Sequence, residues 1–177
     1  MDFNVESLPY LFHIKFTDSW THRSKGVFID SDGIEYRYED TNGWKSFYET
    51  NEIDFNRTLD FEVEAPPSIS EVEIKPEVLF HNLSLCRKKK PFMLLSRIDK
   101  LMLSVEIIEG LMNSPMVYTN NEVVYDAPTT TYSLLVYDVA NACYRQIHLN
   151  STGYRNVQNN SVYTQRILQK FQKYRVS

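Results

Sequence analysis

The sequence predicts an α+β protein: an antiparallel β-sheet of about six to eight strands, with a central helical segment and a C-terminal helix packed on it. Three observations carry that expectation. Apolar and polar residues alternate with period two between Tyr10 and Tyr38 and again between Thr130 and Leu149, the pattern of strands. Turn residues punctuate both regions. Apolar spacing of three and four residues, the helical pattern, appears in the middle of the chain and at its end. Composition agrees: 12 Tyr and 10 Phe against five Gly favour strands. A chain of 177 residues suits one domain, taken as residues 1–177.

The first strand is Tyr10–Phe16, with Tyr10, Phe12, Ile14 and Phe16 on one face and Leu11, His13 and Lys15 on the other, a half-buried arrangement. Gly26–Tyr38 is a hairpin. Val27, Phe28 and Ile29 lead into a turn at Ser31–Gly33, and Ile34, Tyr36 and Tyr38 then alternate with Glu35, Arg37 and Glu39. A second turn, Asp40–Gly43, leads to Trp44, Phe47 and Tyr48 and extends the hairpin into a meander. Two short strands flank Pro66-Pro67, one through Leu59, Phe61 and Val63, the other through Ile69, Val72 and Ile74.

Pro76 opens a helix through Leu83, since its fixed φ and missing N–H suit the first turn. Arg87–Lys90 complements the helix C-terminus and Pro91 stops it. Phe92–Asn113 reads as a helix from Leu94, Leu95, Ile98, Leu101, Met102, Val105 and Ile108, although Leu101–Ile108 also alternates like a strand. Val123–Tyr125 is a short strand, and Thr130–Asp138 with Cys143–Leu149 forms a second hairpin around Val139–Ala142. The last helix is Ser161–Tyr174, N-capped by Ser161, with Ile167, Leu168, Phe171 and Tyr174 facing inward.

Several function classes are excluded or disfavoured. Cys86 and Cys143 are too few for a disulfide framework or a cysteine-based zinc site, and read as buried free thiols. His13, His22, His81 and His148 share no metal-ligand spacing. Asp30-Ser-Asp-Gly33 matches the start of a calcium loop but lacks the later ligands, so it reads as a turn. No Gly-rich phosphate loop and no Gly-x-Ser-x-Gly elbow occur. The expectation is therefore no metal, no cofactor and no catalytic residue. The four Asn-x-Ser/Thr triplets at Asn56, Asn82, Asn150 and Asn159 are assigned to chance. The N-terminal segment carries an acid where a signal peptide carries Lys or Arg, and no apolar run approaches a membrane span, which predicts a cytoplasmic chain without membrane contact.

Charge is distributed unevenly. All 23 acids lie at or before Asp138, and the last 39 residues carry six Lys/Arg, so residues 1–138 hold −10 of an overall −4. Glu49–Glu73 alone carries eight acids against Arg57. Asp60, Glu62 and Glu64 alternate with apolar residues and share one strand face, where like charges repel unless a basic partner or cation offsets them. The basic clusters at Arg87–Lys90 and in the last helix read as solvated helix ends and not as a nucleic-acid surface, because the rest of the chain would repel a polyanion.

These features predict a non-catalytic binding protein that meets a basic protein partner through Asp60, Glu62, Glu64, Glu71 and Glu73, with Trp44 and Tyr48 nearby. In size, acidity and lack of a catalytic motif the chain resembles the immunity proteins that neutralise bacterial toxins. That resemblance implies a cytoplasmic inhibitor plugging a basic toxin or nuclease site. The alternative is a small-ligand-binding protein or enzyme with a Tyr/His-lined pocket, using His148 or His13 as an acid/base group. Such a pocket would gather His, Tyr and a carboxylate around one concavity.

Overall fold

The computed structural model describes residues 10–21, 23–47, 72–89, 105–120, 127–153 and 156–171. Its elements are β1 (Tyr10–Thr17), β2 (Ser24–Asp30), β3 (Glu35–Tyr38), β4 (Val72–Ile74), α1 (Pro76–Ser84), β5 (Arg87–Lys89), α2 (Val105–Met112), β6 (Met116–Asn120), β7 (Thr129–Asp138), β8 (Cys143–Thr152), β9 (Asn156–Asn159) and α3 (Val162–Phe171). The α+β class and the antiparallel sheet match the expectation. The sheet is larger than expected, with nine strands among the described residues, in the order β5-β3-β2-β1-β7-β8-β9-β6, and with β4 added beside β8.

The two hairpins read from the sequence form its centre. In the first, the Asp30 carboxylate accepts the N–H groups of Asp32 (2.9 Å) and Ile34 (2.8 Å), and Gly33 takes φ 80° to close the turn. Asp30 is thus a turn residue, as its sequence context predicts. Burial pushes its carboxyl up, and the hydrogen bonds from Ile34 and Asp32 oppose that shift. In the second hairpin, Asp138 caps the Ala140 N–H at 3.0 Å and pairs with Arg145 at 2.6 Å.

β1 is not half-buried. Phe12 and Ile14 join Val27, Ile29, Leu134, Ile147 and Leu149 on one face, which Leu111 of α2 and Ile167 and Leu168 of α3 cover. Leu11 joins Phe28, Tyr36, Leu135 and Tyr144 on the other, beneath Leu79 and Leu83 of α1. With helices on both faces, the strand has no solvent side at Leu11; at His13 aromatic rings, not a helix, provide the cover.

Two further expectations are corrected. Residues 44–47 form no strand; β5 occupies the position beside β3, with Glu35 opposite Lys89 and Arg37 opposite Arg87. Arg87–Lys89 is accordingly an edge strand and not a helix end, because β3 offers unpaired backbone groups that need partners, while charged side chains keep the outer edge unattractive to other strands. The edge strand β6 and the short β9 were not foreseen. Of the expected central helix, Val105–Met112 lies among the described residues and is helical. The expected strands at 59–63 and 123–125, the remainder of the central helix and Tyr174 lie outside the described residues.

α1 starts at Pro76 as expected, and the Val78 and Leu79 N–H groups reach the Lys75 carbonyl. Ser161 caps α3: its hydroxyl oxygen accepts the Tyr163 N–H at 3.3 Å. Asn159, fully buried, secures this corner by donating to the Leu111 carbonyl (2.8 Å) and accepting from Ser161 N–H (2.9 Å) and the Thr164 hydroxyl (3.2 Å). Asn82 is equally buried. For these two asparagines the reading as chance triplets gains a physical reason, since each amide serves the interior.

Candidate functional site

The face of the sheet beneath α1 changes character along its length. Near α1 it is apolar. Further along β1, β7 and β8 it becomes polar: His13 stands opposite Ser133, Lys15 opposite Thr131, and Gln146 beside Leu135. An aromatic wall separates the two halves. His13 lies flat on its cross-strand neighbour Phe28, with ring centroids 4.0 Å apart and planes at 10°. Tyr38 leans across Gly26 to place its hydroxyl 2.8 Å from His13 Nε2. Trp44 packs on Tyr38 at 4.5 Å, and Phe47 follows at 6.0 Å from Trp44.

The lean of Tyr38 depends on the glycine. A Cβ built on Gly26 would lie 2.6 Å from the Tyr38 hydroxyl and would also meet the Ile14 carbonyl. Only a residue without a side chain leaves room for the phenol to cross to β1.

The loop 44–47 is pinned from the other side. The Asn82 amide accepts the Lys45 N–H (2.8 Å) and donates to the Lys45 carbonyl (2.9 Å), pairing with one residue's backbone as a strand partner would. His81 Nε2 lies 3.0 Å from the Gly43 carbonyl. Replacement Asn82→Ala is expected to cost about 1–3 kcal/mol, because it orphans a backbone pair at a partly buried site. Urea unfolding checks the cost. In a Trp20→Phe background, Trp44 fluorescence anisotropy is expected to fall as the loop loosens.

Two concavities lie on either side of this loop, sharing Ser46 and Phe47. The first, about 330 Å³, is lined by His13, Lys15, Tyr38, Trp44, Lys45, Ser133 and Gln146 among others. The second is an open groove of about 730 Å³ with Phe47, Glu73, Lys75, Glu77 and the β7–β8 turn, 141–143, on its walls. A third, about 340 Å³, sits at the β3–β5 edge, where Lys25, Arg37, Arg87 and Lys89 are mixed with Glu39 and Asp40. Arg37 there already pairs with Glu35 at 2.7 Å.

The electrostatics of the first two differ in sign. In the 330 Å³ pocket two lysines stand without a carboxylate among the described lining residues. Burial holds Lys15 below its ordinary value, and burial, then the Lys15 charge, drives His13 down to about 3. Tyr38 is pushed up by burial. In the groove, Cys143 is pushed up first by burial, then by Glu73 and Asp138, so it stays a thiol. Burial also raises Cys86, to about 11, and neither cysteine is poised as a nucleophile.

Of the seven residues named for the partner contact, the structure places two. Trp44 is half-buried in the aromatic wall, and Glu73 is exposed on β4, opposite Arg145 of β8. Asp60, Glu62, Glu64, Glu71 and Tyr48 lie outside the described residues. His13 and His148 do not meet: His13 bonds Tyr38, while His148 Nε2 lies 3.0 Å from the Ser151 hydroxyl. Sequence reasoning missed Lys15, Ser133 and Gln146 as a group. Their signal was polar residues interrupting otherwise apolar strands, which becomes a cluster only once the register is known.

Among the described residues no group of three or more His, Cys, Asp or Glu is placed to hold a metal ion, and no helix is long and apolar enough to cross a membrane. Comparison of the chain with protein-family models, with curated proteins and with solved structures finds no match.

Proposed function

We propose that this chain is a non-catalytic binding protein that receives a basic segment of a protein partner in the groove beside β4 and α1. One observation carries the reading: Glu73 and Glu77 line the same open groove as Phe47, whose ring continues into Trp44. Complementary charge would set approach and specificity, and the aromatic wall would supply buried contact. Glu73 is the end of the acidic run that begins at Glu49, which supports reading the groove as part of an acidic, aromatic-bearing face. An immunity-type inhibitor of a basic toxin or nuclease fits this chemistry, and Asp60, Glu62, Glu64 and Glu71 would extend the contact.

The acid/base alternative draws less support. His13 and Tyr38 share a concavity, but no carboxylate joins them among its described lining residues, and a histidine held near pKa 3 stays neutral at physiological pH.

The test is the double reversal Glu73→Lys, Glu77→Lys, assayed for binding to the product of the adjacent gene, the place where a toxin would be encoded. The association rate is expected to fall by about tenfold or more, and its dependence on salt to flatten. Unchanged binding and unchanged salt dependence would remove the groove from the interface. An adjacent product that does not bind would remove the immunity-type reading.

A further inference from the structure

We infer that the 330 Å³ pocket behind the 44–47 loop is a binding site for a small organic anion, a carboxylate carried on a flat ring, with the charge at Lys15 and the ring against Trp44. The inference goes beyond the groove reading and does not rest on it, because Lys15, Thr131, Ser133 and Gln146 line the pocket and not the groove.

Four observations converge. The volume is at the lower end of small-molecule sites and suits a bicyclic acid rather than a cofactor. The lining combines cations and neutral hydrogen-bonding groups, Lys15, Lys45, Thr131, Ser133 and Gln146, with no acid among the described residues. Lys15 is half-buried with no carboxylate partner among the described residues, and an ammonium taken partly out of water is unfavourable until an anion meets it. Ser133, only 2 % exposed, accepts a hydrogen bond from Gln146 Nε2 at 3.1 Å and retains its own hydroxyl proton to donate.

The wall facing this polar floor is apolar and pre-set. Asn82 holds the loop backbone at Lys45, and Tyr38, bonded to His13, braces Trp44 from behind. A flat ring gains more from such a wall than a flexible chain does, since little ordering remains to be done on binding. Neutral His13 adds no third positive charge, so an incoming carboxylate meets the ammonium groups of Lys15 and Lys45 alone.

The experiment uses indole-3-carboxylate as probe, with indole-3-carboxamide and acetate as controls, followed by calorimetry and by NMR of the backbone amides and side chains at neutral pH. The carboxylate is expected to bind with a dissociation constant on the order of 0.1–1 mM. The amide and acetate should each bind about tenfold more weakly or worse. Lys15→Met should weaken the carboxylate about tenfold. The double reversal Glu73→Lys, Glu77→Lys should leave its affinity unchanged, which separates this site from the groove. In the wild-type protein, shifts should concentrate on Lys15, Thr131, Ser133 and Gln146, a readout that stands even if Lys15→Met folds poorly. Equal binding of acid and amide, shifts centred elsewhere, or no binding of the carboxylate at millimolar concentration would overturn the assignment.

Discussion

Between pH 6.5 and 3 the protein is expected to lose about 1.4 kcal/mol of stability per pH unit through His13 alone. The folded state holds this imidazole at about 3 against an ordinary 6.5, chiefly because burial penalises the charged ring and secondarily because Lys15 repels it. As pH falls through 6.5 the unfolded chain takes up a proton that the folded chain refuses. The unfolded state then binds more protons, so stability is full above pH 6.5 and declines below it, ceasing to decline only near pH 3. His148, also lowered by burial, acts in the same sense. Asp30 acts oppositely near pH 4, because its raised carboxyl binds a proton more readily in the folded state. A comparison with His13→Gln therefore isolates the effect better than the wild-type curve alone. Urea unfolding at pH 7.5 and 4.5 should show the wild type losing about 2–3 kcal/mol more than the variant. Parallel losses in the two proteins would mean that His13 is not the titrating group.

Gly26→Ala is expected to destabilise the protein by about 2–4 kcal/mol, a large cost for one added methyl. The new Cβ would meet the Ile14 carbonyl, part of the neighbouring strand's backbone, and would lie 2.9 Å from Tyr38 Cζ. Backbone in the middle of a sheet cannot retreat without disturbing its ladder, and Tyr38 cannot retreat without leaving His13. The His13–Tyr38 hydrogen bond and the Tyr38–Trp44 packing would fail together. In a Trp20→Phe background, Trp44 emission should shift to longer wavelength as its buried face opens to water. A variant within about 0.5 kcal/mol of the parent, with unshifted emission, would show that the strand absorbs the methyl locally.

Both effects arise where strands meet, and that is where the sequence was least informative. β1, the first hairpin and the β7–β8 hairpin were legible because each announces itself over seven or more residues through alternation and turn chemistry. α1 and α3 were legible from Pro76 and Ser161. By contrast β5 spells Arg-Lys-Lys and β9 Asn-Val-Gln-Asn. Segments this short carry no period, and they are strands because β3 and β8 have backbone groups to satisfy. The candidate site divides in the same way. Trp44 and Glu73 were picked out by residue type and local charge. His13 and Tyr38 are 25 residues apart, and Lys45 and Asn82 are 37 apart; nothing local couples either pair.

The sequence by itself determined the class of fold, its two long hairpins, two helix starts and the uneven distribution of charge, because each of these is written in neighbouring residues. Only the tertiary structure decided that β1 is covered on both faces, that a buried asparagine holds the 44–47 loop, and that this loop divides an acidic groove from a lysine-lined pocket. Those outcomes depend on strand register and on which helix lies over which half of the sheet, relations between distant segments that packing settles and local pattern does not encode.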